Sequence, residues 1–90
     1  MPTIKFTNAL KRFYPNLSEF TTSAPNVINV LDKIENKYPG IKAYLVDDQG
    51  ALRKHVNIFI NGSIIIDREN LTDELKEKDE VYIIQALSGG

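Results

Sequence analysis

The sequence has no cysteine and no tryptophan, and His55 is its only histidine. Without cysteine the chain can form no disulfide, no thiolate metal site, no iron–sulfur cluster and no thiol nucleophile. His55 lacks a second histidine that could help it hold a transition metal, so we interpret it as an ordinary strand residue. Iron–sulfur proteins and cysteine-dependent enzymes are therefore excluded.

Long apolar runs and an excess of one charge are also lacking. Eleven basic and twelve acidic residues leave a net charge of -1, which provides no broad field for nucleic acid or anionic lipid. No apolar run approaches the ~20 residues that span a bilayer, and residues 1–5 lead into strand-like alternation instead of a signal peptide. We therefore expect a cytoplasmic protein with no nucleic acid and no membrane as partner.

What the sequence does contain is typical of one small globular domain. Hydrophobic residues make up 42% of the chain and charged residues 26%, a balance that favours a packed core. Ile4 and Phe6 alternate with polar residues and predict a first strand. Residues 18–22 are rich in β-branched and aromatic side chains and predict a second strand, which forms a hairpin with the first.

A helix is predicted to follow this hairpin. Apolar residues fall at spacings of three and four along one stripe, at Val27, Val30, Leu31, Ile34 and Tyr38. Ser23 is the predicted cap, and Pro25 suits the first turn because its missing N–H is not needed there. Pro39-Gly40 predicts the end of the helix.

The second half of the chain predicts another hairpin and a final strand. Val56, Ile58 and Ile60 lie on one side of a strand, and Asn61-Gly62 is the favoured centre of a tight turn into residues 63–66. Asp47-Asp48 lies in a turn-like stretch and lacks the spaced ligands of a calcium loop. Residues 81–84 are apolar at every position, which indicates a strand inside the sheet.

This order of elements predicts an α+β domain with the β-grasp (ubiquitin-like) fold. One helix would cover one face of a mixed four- or five-stranded sheet, and the first and last strands would pair in parallel. We expect the domain to comprise residues 1–87 and a flexible Ser-Gly-Gly tail to comprise residues 88–90.

The two C-terminal glycines are the feature that could carry chemistry. Gly89 and Gly90 have no side chains, so they could thread a narrow channel in a partner enzyme. The Gly90 carboxylate is ionised at neutral pH and is a poor electrophile, and adenylation by ATP would activate it. Because the sequence has no GxxxxGK[ST] phosphate loop, a partner would have to bind the ATP. The alternative is that these residues are only a frayed terminus.

Three segments resemble the MoaD/ThiS family of ubiquitin-like sulfur carrier proteins. Residues 4–6 and 10–14 are similar to the family's first strand and following turn, and residues 55–61 are similar to its middle strand around Val-Asn. The third and most specific segment is Asp79-Glu80-Val81 followed by Gly89-Gly90. Lys78 stands where glycine is common, and residues 85–88 depart from the tail of molybdopterin carriers.

The resemblance implies a carrier with no catalytic residues of its own. An adenylating enzyme of the ubiquitin-activating type would activate the Gly90 carboxylate with ATP, and a sulfur donor would convert it to a thiocarboxylate. Ser88, Gly89 and Gly90 would insert into a sulfur-acceptor enzyme, such as a molybdopterin synthase large subunit or a cysteine-synthase-like enzyme. The chain itself would bind no metal and no other cofactor. The longer middle region, residues 41–61, is more similar to carriers for cysteine synthesis.

Two further questions remain open from the sequence. Phe59 has the opposite parity from Val56 and Ile58, so with Leu87 it could anchor a partner enzyme or simply fill the second face of the sheet. The activated Gly90 could also pass to a lysine amine, which would make the protein a ubiquitin-like modifier. A non-covalent binding module with the same fold is the third reading.

Overall fold

The computed structural model describes residues 1–85. One sheet contains five strands in the order β2-β1-β5-β3-β4. The strands are β1 (Thr3–Phe6), β2 (Phe20–Thr21), β3 (Val56–Ile60), β4 (Ser63–Ile64) and β5 (Glu80–Gln85). The helices are α1 (Asn8–Lys11), α2 (Val27–Lys37) and α3 (Lys42–Leu45). This mixed sheet with one main helix confirms the predicted β-grasp fold.

The last strand, β5, lies at the centre of the sheet. It pairs in parallel with β1, with Ile4 opposite Val81, and antiparallel with β3, with Ile58 opposite Ile83. Val81 and Ile83 are fully buried in the core. The predicted parallel pairing is thus confirmed, and β5 has a neighbouring strand on either edge, as predicted.

The main helix, α2, buries four of the five residues of the predicted stripe, since Val27, Val30, Leu31 and Ile34 have no exposed surface. Tyr38 lies just beyond the end of the helix and is only partly buried. The predicted cap at Ser23 was wrong. Asn26 caps the helix, and its side-chain oxygen accepts a hydrogen bond from the Asn29 N–H at 3.1 Å. Pro25 therefore lies before the helix, because asparagine caps as well as serine and stands directly next to Val27.

The predicted helix end and hairpin turn are both present. The helix ends at Lys37, and Gly40 adopts φ +96°, where an added Cβ would lie 3.0 Å from the Tyr14 hydroxyl. Asn61 and Gly62 both have positive φ, as a two-residue hairpin turn with the twist of the strands requires. Beyond this turn the pairing with β3 ends early. The Ile65 N–H still bonds the Ile58 carbonyl, but the next N–H that would face β3, that of Asp67, bonds the Asp73 carboxylate instead.

Two short helices and the brevity of β2 were not predicted. α1 lies in what the sequence indicated as a connection, and α3 lies in the stretch before Asp47. Each has four residues and buries one leucine, Leu10 or Leu45, so neither is long enough to show a helical period. None of the helices within residues 1–85 is long and apolar enough to cross a membrane.

The loop after β4 is organised around the Asp67 carboxylate. The Thr72 hydroxyl and the Asn70 N–H donate to it, and between them Leu71 is buried with φ +57°. These hydrogen bonds, that of Thr72 first, hold the pKa of Asp67 below its ordinary value. The ionised carboxylate therefore holds a strained, buried residue in place.

This arrangement predicts a pH dependence of stability. Because the folded pKa is lowered, the contribution of Asp67 is complete above the unfolded pKa of about 3.9 and is lost as pH falls through the folded pKa. Asp67→Asn should lower the urea midpoint at pH 7, and its difference from the wild-type midpoint should be smaller at pH 3. Urea titrations at both pH values test this. An equal separation of the two proteins at both would contradict it.

Candidate functional site

The C-terminal end of β5 is held on both sides. The Gln85 N–H donates to the Thr7 side-chain oxygen at 3.3 Å, and Gln85 pairs with Val56 across β3. The Thr7 N–H in turn donates to the Ile83 carbonyl at 3.2 Å. The chain is therefore fixed up to Gln85, at the edge of the domain where β1 ends and β3 begins. The predicted domain boundary after Leu87 and the predicted tail, Ser88, Gly89 and Gly90, lie outside the described residues.

Within residues 1–85, no helix lies over the face of the sheet opposite α2. Phe59 lies opposite both Tyr82 and Ile64 in the strand register, and Ile84 follows on the same side. Tyr82 is 40% exposed and Ile64 is 50% exposed. We call these four residues the open face. Three of them, Phe59, Tyr82 and Ile84, line a shallow groove of about 500 Å³ together with Asn61, Gly62 and Glu80.

Phe59 thus points away from α2, as its strand parity predicted. Its role in binding a partner stays a prediction. The sequence analysis did not identify Tyr82, Ile84 and Ile64 as its neighbours. The signal was present, because an internal strand that is apolar on both faces has to place Tyr82 and Ile84 on the side opposite Val81 and Ile83.

At the end of the open face away from Gln85, the charged side chains pair or form hydrogen bonds with other groups of the same chain. The Lys5 ammonium lies 2.9 Å from a Glu80 carboxylate oxygen, and this hydrogen bond and charge raise the pKa of Lys5. Asp79 accepts hydrogen bonds from the Lys76 N–H at 2.7 Å and the Asn61 side chain at 2.7 Å. These two bonds, that of Lys76 first, lower the pKa of Asp79. Both carboxylates are therefore engaged where the turn meets β5.

A different arrangement holds the end of the open face near Gln85. The Arg68 guanidinium donates to the Asn57 side-chain oxygen and to the Arg53 carbonyl, each at 2.8 Å. Asn57 lies directly opposite Ile84. Sequence reasoning noted Asn57 only as part of a resemblance and missed Arg68, because a loop residue gives no periodic signal.

Within residues 1–85, no three histidine, aspartate or glutamate side chains are grouped so that they could hold a metal ion. His55 stands just before β3, next to Arg53 and Lys54 at a shallow surface depression. Asp47 accepts the N–H groups of Gln49 and Ala51 and closes the turn expected there. The main feature of the site is therefore the end of β5, held by Thr7 and Val56 at one end of the open face. This arrangement is suited to presenting a chain terminus.

A central parallel strand that ends at the domain edge, with one helix across the opposite face, defines the ubiquitin-like class of β-grasp domains. The family model described as the ThiS family matches residues 4–90. The chain therefore belongs to the ThiS family of ubiquitin-like carrier and modifier proteins.

Solved structures of other proteins have the same fold. A chain of the Amycolatopsis orientalis BexX/CysO complex is 24% identical, with a TM-score of 0.83 and full coverage of both chains. Small archaeal modifier protein 1 from Methanosarcina acetivorans is 32% identical, with a TM-score of 0.79 over 99% of this chain and 95% of its own. A relative found by sequence is small archaeal modifier protein 3 from Haloferax volcanii, which is 29% identical over 62 residues. These residues make up 69% of this chain and 66% of that relative's length.

Proposed function

We propose that the protein is a sulfur carrier whose Gly90 carboxylate is the reactive group. The observation that carries this proposal is the position of β5, which is anchored by Thr7 and Val56 up to Gln85 and contributes Tyr82 and Ile84 to the open face. A partner that covers this face would find the start of the last five residues in a fixed place. Fixing that point reduces the conformational freedom lost when the terminus enters an active site.

The chemistry divides between this chain and its partners. An oxygen of the Gly90 carboxylate attacks the α-phosphorus of ATP, which forms an acyl-adenylate and releases pyrophosphate. A hydrosulfide-level donor then attacks the acyl carbon, expels AMP and leaves a thiocarboxylate. The chain supplies the carboxylate, and the adenylating enzyme supplies the ATP site.

Two partner enzymes follow from this scheme. The first is the adenylating enzyme of the ubiquitin-activating type. The second is the sulfur-acceptor enzyme, such as a molybdopterin synthase large subunit or a cysteine-synthase-like enzyme. The BexX/CysO structure, a complex of two proteins, supports the idea that a domain of this fold works while docked on another protein. Phe59 with the rest of the open face, and Leu87, are the surface that we propose for docking.

Intact mass spectrometry tests the proposed function. Protein purified from a cell that holds its own activating and sulfur-donor enzymes should gain about 16 Da, because sulfur replaces one carboxylate oxygen. The matched control is a variant that lacks Gly90, which should show no gain. An unmodified wild-type mass in the presence of active partner enzymes would contradict the carrier function.

A second candidate function is modification of other proteins through Gly90. The likeness to two small archaeal modifier proteins favours it. In this reaction a lysine amine attacks the same adenylate or a thioester derived from it, and the product is an isopeptide bond. Trypsin cuts last after Lys78, so a conjugate would carry residues 79–90 on the target lysine. Finding this remnant in digested cell extracts would support the modifier function, and its absence beside a thiocarboxylate would favour the carrier.

A further inference from the structure

Within residues 1–85, no acidic side chain forms an ion pair with Arg68. Its guanidinium is held by two neutral oxygens, of the Asn57 side chain and the Arg53 backbone. The ion pairs in this part of the chain use other cations: the Met1 amino group, Lys5 and Lys42. This half-buried guanidinium is therefore fixed in position without a counter-charge among the described residues.

The Arg68 guanidinium lies at the edge of the open face. Asn57 alternates with the core residues Val56 and Ile58, so its side chain lies on the same side of the sheet as Phe59. It stands opposite Ile84, one residue before the end of β5. The guanidinium bonded to Asn57 is therefore at the edge of the open face, beside the place where the chain continues to Gly90.

The two ends of the open face differ in how their charges are satisfied. At the far end, Glu80 is paired with Lys5, and Asp79 accepts two hydrogen bonds from the chain itself. At the near end, Arg68 has no counter-charge within the described residues. A protein that covers this face would bury a positive charge, and such a charge left unpaired is strongly unfavourable.

We propose that Arg68 pairs with a carboxylate side chain of the adenylating enzyme when that enzyme covers the open face. This inference rests on the proposed function. A guanidinium has five N–H groups and two are in use here, so three remain for a carboxylate. Its planar fork matches carboxylate geometry, and because Asn57 and Arg53 already orient it, little freedom is lost on pairing.

The proposal is tested by measuring how tightly variants of this protein bind the purified adenylating enzyme. The control is a variant that loses one positive charge elsewhere. Arg68→Gln should weaken binding about 10-fold in 0.05 M salt, and the loss should shrink in 0.5 M salt because salt screens the pair. Lys54→Gln removes an exposed charge from the loop before β3 and should change the affinity less than about 2-fold. Arg68→Lys, which keeps the charge but not the fork, should lie between.

Equal weakening by Arg68→Gln and Lys54→Gln would show that only total charge matters and would overturn the proposal. Wild-type affinity of Arg68→Gln would overturn it too. Thermal unfolding shows whether the variant folds. If Arg68→Gln does not fold, Asn57→Ala decides, since it keeps the charge and frees the guanidinium. It should weaken binding about 3-fold, because the guanidinium is no longer oriented before it pairs, and unchanged affinity would sink the idea. The wild-type gain of about 16 Da is measured in parallel, so failure of the carrier function is seen separately.

Discussion

If the proposed adenylating enzyme docks on the open face, replacing Phe59 by alanine should weaken that binding about 30-fold, equivalent to about 2 kcal/mol, because central aromatic residues contribute most to such interfaces. Phe59 lies between Tyr82 and Ile64 in the strand register and has the largest apolar side chain of the open face. Its removal should take away the apolar centre of the docking surface without touching the C-terminus. The dissociation constant is measured by calorimetry with the purified enzyme.

Phe13→Ala is the matched control for this experiment. Phe13 is 55% exposed and stacks on Tyr44, whose short helix α3 is not part of the open face. We expect its replacement to leave the affinity within about 2-fold of wild type, as for most residues outside an interface centre. Urea unfolding of both variants accounts for any loss of stability, which should be about 1 kcal/mol for Phe59→Ala. Similar affinities for the two variants would refute the assignment of the open face as the docking surface.

Replacing Ile83 by alanine should lower the free energy of unfolding by about 3 kcal/mol, since a buried side chain is removed and a cavity is left. Ile83 has no exposed surface and stands in β5, where it pairs with Phe6 on one side and Ile58 on the other. A loss of this size is a large part of the 5–15 kcal/mol that stabilise a typical domain. Urea unfolding at 25 °C gives the value.

The same substitution at an exposed isoleucine provides the comparison. Ile66 is 92% exposed, and Ile66→Ala should change the free energy of unfolding by less than about 0.5 kcal/mol. If both variants lost the same amount, the central position of β5 would not be what makes Ile83 important. The two variants also bear on function, because Ile83→Ala should reduce the amount of folded carrier and Ile66→Ala should not.

The sequence was sufficient to predict the parts of the fold that have a clear period or a specific turn. The apolar stripe of α2, the parity of Val56 and Ile58, and the Asn61-Gly62 turn each correspond to one local conformation. The parallel pairing of β1 with β5 followed from the order of elements and the long connection between them. The β-grasp fold and the resemblance to the family could both be reached in this way.

The parts that were not predicted depend on contacts between distant residues. α1 and α3 are single turns, formed where Leu10 and Leu45 reach the core, and four residues carry no usable period. Asn26 competes with Ser23 for the same capping role, and residue type alone does not separate them. Of the candidate site, the orientation of Phe59 was predictable. The bond between Arg68 and Asn57 was not, because it joins a loop to a strand 11 residues away.

The central place of β5 has a consequence for how the protein is made. The strands on either side of it, β1 and β3, both leave the ribosome earlier and cannot complete the sheet without it. During translation, at about 5–20 residues per second, the apolar faces of the helix and the first hairpin therefore stay uncovered until β5 has been made. The sheet cannot close until β5 has been made, and a chain cut short before β5 has no centre for its sheet. Nascent and truncated chains should accordingly be the forms most dependent on chaperones and most sensitive to proteases.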